Sequence, residues 1–491
     1  MANSTMKSTT SNGSIKEEQQ QIPNIPFFFL FLCTICMISI YSNVLVYHVT
    51  INQLHSYGNN SSTDVYYSYE VVTTDELEKM NVSVLKYKYL SIPQKESLIT
   101  VSPLGALIGI WIITYAYNQM GFRRSFLVSA LFAIIPSLFI PLCTNAKTYV
   151  LALVIRIFQG VSIATFIPYI CKLSIFLPFD HIAVPAIALA YHQLSAAICF
   201  PLSAWLSTTS LGWHSPHYIA VGCCVCAFLL FICINYDEEF KDRKARIGLF
   251  NALFTYERER SRKLDHRLPY LSIYQDIRVW AIFVAAFGHF ASVNLMLQFG
   301  PSFLHQVLHI GLIWSSILCA LSCLVHLAFN ILSLHLYNSL VYTEELRMRI
   351  FNTAGSCLSG IILIVAGCLP DGKLVAILFL IATSLCGCNV AGFLRMAQLR
   401  SRHYFLFIFV NIFFVNCVSM FLASLFNALI AKENEYSSWG AIMILHGAIL
   451  FVCNCVFWLF CTSERAPWGR ADYTDTSLPP IRDDSIPQFP L

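Results

Sequence analysis

Apolar and polar positions in this chain do not alternate at a strand or amphipathic-helix period; they separate into long blocks. Runs of roughly 20 apolar residues, the length a helix needs to cross the hydrocarbon core of a bilayer, fall near 26–49, 97–117, 125–143, 148–171, 182–207 and 217–236. A polar stretch, 237–276, follows, and then six more runs near 277–301, 311–337, 350–369, 373–397, 404–431 and 438–462. The pattern predicts an all-α membrane protein of twelve transmembrane helices in two six-helix bundles, 26–236 and 277–462. Residues 1–25 and 463–491 form polar tails, the second with Pro479, Pro480, Pro487 and Pro490 and a composition that predicts disorder. The first run follows a tail containing KEEQQQ and is about twice the length of a signal peptide's apolar segment. No small-residue cleavage site accompanies it, so a retained helix is expected.

Composition agrees. Hydrophobic residues make up 57% of the chain and charged ones only 12%, about half the share in soluble domains. A net charge of +4 gives no reason to expect a nucleic-acid partner. Placement of the charges is more informative. With the N-terminus inside, the inner segments hold Arg123, Arg124, Lys172, the Lys241–Arg267 cluster, Arg347, Arg349, Arg400 and Arg402, whereas the outer ones hold seven lysines. The excess of Lys and Arg marks the cytoplasmic side, so both termini and the 237–276 loop are expected there. The first external loop, 50–96, carries glycosylation sequons at Asn59, Asn60 and Asn81, which require a lumenal or extracellular face. Asn3 and Asn12 match the same pattern on the inner side. The nineteen cysteines lie almost wholly within apolar runs and none is in the external loop. They read as small buried hydrophobes, Cys33 and Cys36 included, rather than as a disulfide or metal framework.

One charge lies inside the apolar blocks. The stretch VIRIFQGVSIATFIPYICK, residues 154–172, would cross the bilayer with Arg156 about 12 Å below its outer end. An arginine near a helix centre costs on the order of 2.5–3.5 kcal/mol and faces a partner or a polar cavity. Gln159 and Gly160 follow at i+3 and i+4 on the same face. All twenty-seven Asp and Glu fall in loops, tails or helix ends, so no membrane carboxylate is expected to pair with Arg156. A substrate anion would supply the missing charge; alternatively Arg156 bonds carbonyl oxygens and locks helix packing. Without a membrane carboxylate, titratable candidates for proton coupling reduce to His48, His192, His289, His326 and His446, with unperturbed pKa near 6.5. Asn43 and Asn294 are candidate cavity amides, with Tyr115 and Tyr191 behind them. Paired carboxylates, HExxH, GxSxG, a phosphate-binding loop and close metal-ligand spacing are all missing from the sequence, which argues against an enzyme and gives no reason to expect a cofactor or metal.

Several strings, in order along nearly the whole chain, carry a family resemblance. GALIGIWIITYAYNQMGFRRS from Gly105 resembles the signature turn after the second helix of major facilitator transporters, placing Gly105, Gly109, Asn118, Gly121, Arg123 and Arg124 at a cytoplasmic gating turn. RIFQG with FIPYICKLSIFLP, LGWHSPHYIAVG, IRVWAIFVAAFGHFASVNLMLQFGPSFL and TSERAPW resemble the anion:cation symporter branch, which includes sialin and the vesicular glutamate and sodium–phosphate transporters. The resemblance implies two bundles rocking about a central site at the membrane midplane. It also implies a small anionic substrate, a co-transported proton or sodium ion, and contacts from Arg156, Gln159, Asn43, His289 and Asn294. It singles out His289 for proton coupling, because relatives place a charge there. The chain departs from the pattern at Asn118, Asn43, Ile163 and His289, where relatives carry Asp, Arg, Glu and Arg. Those departures leave open a facilitative carrier of a neutral solute or a non-transporting receptor or scaffold.

Overall fold

The computed structural model describes residues 27–54, 56–57, 90–143, 146–177, 182–233, 269–370, 372–431 and 435–469. Asn59, Asn60 and Asn81, the whole N-terminal tail, most of the 237–276 loop and the proline-rich tail lie outside the described residues. Among the described residues eleven continuous helical runs are long and apolar enough to cross a membrane. One of them, Ile92–Cys143, is two spans. At Gly121 the backbone takes φ 77° and ψ 179°, a conformation that costs an L side chain but not glycine. Gly105 and Ser137 lie equally far on either side of Gly121, yet Gly105 abuts Gly160 and Ser137 bonds Gln159. The chain therefore doubles back at Gly121, and twelve spans result, as the hydropathy pattern predicts.

The spans are α1 (Phe27–Thr50), α2 (92–120), α3 (122–143), α4 (149–176), α5 (Ala183–Ser207) and α6 (Ser215–Cys233). In the second half they are α7 (Ile277–Ser302), α8 (Leu312–Ser339), α9 (344–368), α10 (373–401), α11 (Phe405–Ile430) and α12 (Tyr436–Phe460). Three are interrupted: α4 by a 3₁₀ turn at Ser162–Thr165, α9 by a π turn at Thr353–Leu358, and α10 by a 3₁₀ turn at Cys386–Ala391. Such local departures free backbone groups and cluster at functional positions. A two-residue parallel pairing, Ser56–Tyr57 with Leu90–Ser91, brings together the chain on either side of 58–89.

Helix contacts repeat at an interval of six. α1 packs on α5 and α6, as α7 does on α11 and α12. Between the halves α5 lies against α8, and the α2–α3 hairpin lies against α11. Exchanging each helix for the one six further along turns one of these contacts into the other, as two bundles related by a two-fold axis require. The halves also touch beyond both ends of the helix midpoints. At the end where α1 finishes, the far end, Gln306 Nε2 donates to Asn52 Oδ1 at 2.9 Å and His48 Nδ1 meets the Leu297 carbonyl at 3.2 Å. Toward the near end, the Phe166 ring of α4 stacks on Phe413 at 4.7 Å and meets Phe409 edge-on at 5.8 Å.

Local chemistry explains several boundaries. Asp276 caps α7 by accepting from the Arg278 N–H, which satisfies one orphan donor of the first turn. Its second oxygen takes Arg400 at 2.5 Å and the Trp468 indole N–H at 3.2 Å, so the exit from α12 is tied beneath the second half. Thr343 caps α9, with Glu344 and Glu345 in its first turn, where the helix dipole favours negative charge. Cysteines behave as small hydrophobes at Cys33, Cys36, Cys386 and Cys417, all buried and unpaired, while Cys223 and Cys226 face outward. Tyr115, a candidate for the cavity from sequence, is 67% exposed beside Trp111 on the outer surface.

The structure adds to the reading of α2, which begins at Ile92, five residues before the apolar run. Lys95 and Glu96 are consequently buried, and Lys95 Nζ donates to the Leu54 carbonyl. A buried carboxylate therefore exists near the far end of the first half, although none of the ion pairs among the described residues joins it to Arg156.

Candidate functional site

Residues expected to form one site are divided between two places. The first is a cluster within the first half. Arg156 is fully buried on α4. Its Nε donates to the Leu98 carbonyl of α2 at 2.9 Å, and Nη1 donates to the Val44 carbonyl of α1 at 3.5 Å and to Gln159 Oε1. The guanidinium carbon lies 4.5 Å from the centre of the Tyr47 ring, a cation–π distance. Gln159 in turn donates to the Asn43 carbonyl at 2.8 Å and to Ser137 Oγ at 2.7 Å. Asn43 donates to the Ser39 and Ala220 carbonyls. Arg156, Gln159 and Asn43 thus meet, as expected, and join α1, α2, α3, α4 and α6.

Bonding in this cluster is incomplete. Arg156 Nη2, Tyr47 Oη and Asn43 Oδ1 have no partner. The carbonyl contacts fit the helix-locking reading; the spare Nη2 is what a bound anion would use. Close packing makes the arrangement possible: a Cβ on Gly160 would stand 1.9 Å from the Ser102 carbonyl oxygen, and one on Gly105 would stand 2.0 Å from that of Ile157. Only glycine at both positions lets α2 approach α4 closely enough for Leu98 to meet Arg156.

The second place is a narrow cavity between the halves, lined by His192 and Gln193 of α5, His289 and Phe290 of α7, His326 and Asn330 of α8, Val390 of α10 and Asn416 of α11. Arg156, Gln159 and Asn43 do not line it. His289 Nδ1 faces Asn389 Nδ2 at 3.2 Å, and Asn389 is oriented by accepting from Ser356 Oγ at 3.1 Å on its oxygen. His326 Nδ1 meets the Thr383 carbonyl at 3.1 Å. The His192 ring stacks on Tyr41 of α1 at 4.4 Å. Asn294 is one step outside the lining and donates to Asn416 Oδ1 at 3.0 Å and Ser419 Oγ at 3.1 Å.

The six positions placed by resemblance at the turn also divide. Gly121, Arg123 and Arg124 are at the α2–α3 reversal, with Asn118 one turn before it; Arg123 Nη2 caps the Ile232 carbonyl at the end of α6 at 2.9 Å. Gly105 and Gly109 lie deeper, in the α2–α4 contact. Sequence reading named His192 and His326 without placing them together and missed Gln193, Asn330 and Asn416. The available signal was a polar side chain inside an apolar run, which does not tell which helix face turns inward.

Residues 27–424 match the Major Facilitator Superfamily. The human sodium-dependent phosphate transport protein 1 is 27% identical over 271 residues, 53% of this chain and 57% of that protein. The alignment therefore spans little more than half of that relative's length. Sodium-dependent phosphate transport protein 3 of Mus musculus is 20% identical over 76% of this chain and 77% of its own. Among solved structures, a D-xylose–proton symporter superposes with a TM-score of 0.62 at 12% identity, covering 89% of this chain and 98% of that one. An inward-open xylose transporter from E. coli gives 0.58, also at 12%, covering 87% and 95%. At such identities the structures speak for the fold alone. The curated relatives are phosphate transport proteins of the anion:cation symporter branch, not enzymes. With two six-helix bundles, a cavity between them and a match over most of its length, this multi-pass membrane chain belongs to the Major Facilitator Superfamily.

Proposed function

We propose that the chain is a secondary transporter that moves a small organic or inorganic anion across the membrane by alternating access. The halves rock about the cavity while the cluster in the first half moves as a unit. One observation carries the anion: Arg156 is fully buried, forms no ion pair among the described residues and keeps Nη2 unpartnered. An unpaired charge in that setting is costly, and an incoming anion relieves it through a charge-assisted bond. The names of the phosphate transport relatives agree with that substrate class. A co-transported cation, proton or sodium, drives accumulation. The Lys and Arg distribution supports cytoplasmic termini, with Asn59, Asn60 and Asn81 on the opposite face as glycosylation sites.

The test is uptake of labelled phosphate, urate, glutamate and sialic acid into proteoliposomes under pH and sodium gradients, with wild type beside Arg156→Ala. Saturable uptake lost in a folded Arg156→Ala protein is the expected result. A second reading, a carrier of a neutral solute with Arg156 as a packing residue, draws on the carbonyl bonds of Nε and Nη1 and on a cavity that Arg156 does not line. Full anion flux without Arg156, or flux of neutral solutes alone, would select it.

A further inference from the structure

We propose that His192, His289 and His326 form a single proton-binding site in the cavity between the halves, the site at which a co-transported proton is held. The inference rests on the carrier reading above but on other residues. The three imidazoles come from α5, α7 and α8, and all line the same cavity. The His289 and His326 rings are 5.8 Å apart, and the His192 ring stands on Tyr41 at the same cavity. Arg156 does not line this cavity.

The cavity is short of hydrogens. Gln193 Oε1 and Asn330 Oδ1, both at its wall, are buried acceptors without a donor, and His192 Nε2 has no partner although His192 is 4% exposed. Buried polar atoms are almost always satisfied, so two orphan acceptors at the wall of one cavity call for a donor there. A proton placed on an imidazole makes both ring nitrogens donors. The Tyr41 face stacked on His192 suits an imidazolium. A second proton would sit too close to the first: at an effective dielectric of about 20, two unit charges 6 Å apart disfavour each other about a hundredfold. One site, one proton.

Among the described residues no Asp, Glu, Lys or Arg lines the cavity that holds the three rings. The other titratable groups around them are Tyr41 of α1, Tyr169 of α4, Tyr191 of α5, Cys323 of α8, Cys386 of α10 and Cys417 of α11, whose ordinary pKa values keep them neutral at physiological pH. Among the described residues no group of three or more His, Cys, Asp or Glu is placed to hold a metal ion.

The experiment uses the full chain in proteoliposomes with labelled phosphate as probe. Two rates are taken: phosphate exchange at equal pH, and accumulation with the outside acidified. For wild type the ratio of the second to the first rises about tenfold between pH 7.5 and 5.5. In the His192→Gln/His289→Gln/His326→Gln variant, checked for folding by gel filtration and melting, the ratio stays near one whatever the exchange rate. A variant that still responds to the pH gradient, or a wild type driven by sodium alone, overturns the proposal. If wild type moves no phosphate, or the variant none, potentiometric titration of the purified proteins from pH 8 to 5 decides. Wild type should take up one proton more than the variant; a difference of zero or three overturns the site, independently of what is carried.

Discussion

The Arg156 cluster and the histidine cavity are both buried polar regions in an apolar protein, and they differ in three respects. The cluster belongs to one half, tying α1, α2, α3, α4 and α6 together; the cavity is walled by helices from both halves. The cluster carries a fixed charge with a spare donor, Arg156 Nη2, while the cavity carries none and has spare acceptors at Gln193 and Asn330. The cluster is cross-linked by carbonyl bonds within its own half, whereas the cavity's walls would part if the halves moved as proposed. The difference teaches that the fixed charge is held within one half, whereas the three rings at the cavity are shared between the two halves.

Each variant below breaks one side of this comparison and leaves the other standing. The largest effect falls on Arg156→Met. Anion uptake should drop by at least about a hundredfold, equivalent to roughly 2.7 kcal/mol, the loss of one or two charge-assisted hydrogen bonds. Arg156→Lys should recover only part of the rate, because an ammonium cannot reach Leu98, Val44 and Gln159 together. Equal rates for wild type and Arg156→Met would reduce the cluster to a packing device.

Next comes Gly160→Val. Its Cβ would collide with the Ser102 backbone, and forcing α2 away costs about 1–3 kcal/mol, seen as a lower melting temperature in detergent. Gly222→Ala, where a Cβ would meet nothing within 4 Å, is the control and should melt within about 0.5 kcal/mol of wild type. If both variants melt alike, close approach of α2 and α4 is not what holds the cluster.

The last two variants act on the cavity and in opposite directions. Asn389 donates to His289 and so favours the uncharged ring; Asn389→Ala should move the pH of half-maximal uptake upward by about half a unit, with anion KM changed by no more than about twofold. Tyr41→Leu removes the stacked face from His192 and should move it downward by a few tenths of a unit. Shifts of the same sign in both would show that the cavity responds to looser packing and not to protonation.

Much of the architecture was legible because lipid imposes a simple length rule. Block lengths place twelve spans, and Gly121 with Arg123 and Arg124 marks the reversal that a continuous helical run conceals. Arg156, Gln159 and Asn43 could be gathered as well, since a charge in an apolar run demands polar neighbours and i+3 spacing supplies one. Joining His289 and Asn294 to them failed for a physical reason. On α7 they bond instead to Asn389, Asn416 and Ser419 of the second half, and membership of an apolar run does not say which helices a side chain meets. The same limit hid the meeting of His192, His289 and His326, each on its own helix and far apart in sequence. Glu96 is at a helix end, as read, but its burial was not legible, because α2 extends beyond its apolar stretch where the neighbouring chain, here Leu54, provides a partner for Lys95.

The ties between the halves have unlike chemistry at the two ends, and temperature should tell them apart. Separating Asn52 from Gln306 and His48 from Leu297 exchanges protein hydrogen bonds for bonds to water, a trade close to neutral that changes little with warming. Separating Phe166 from Phe409 and Phe413 wets aromatic faces that water cannot replace, and exposing apolar surface carries a large positive heat capacity. An Arrhenius plot for the step that parts the rings should curve, and the plot for the step that parts the amides should run straight.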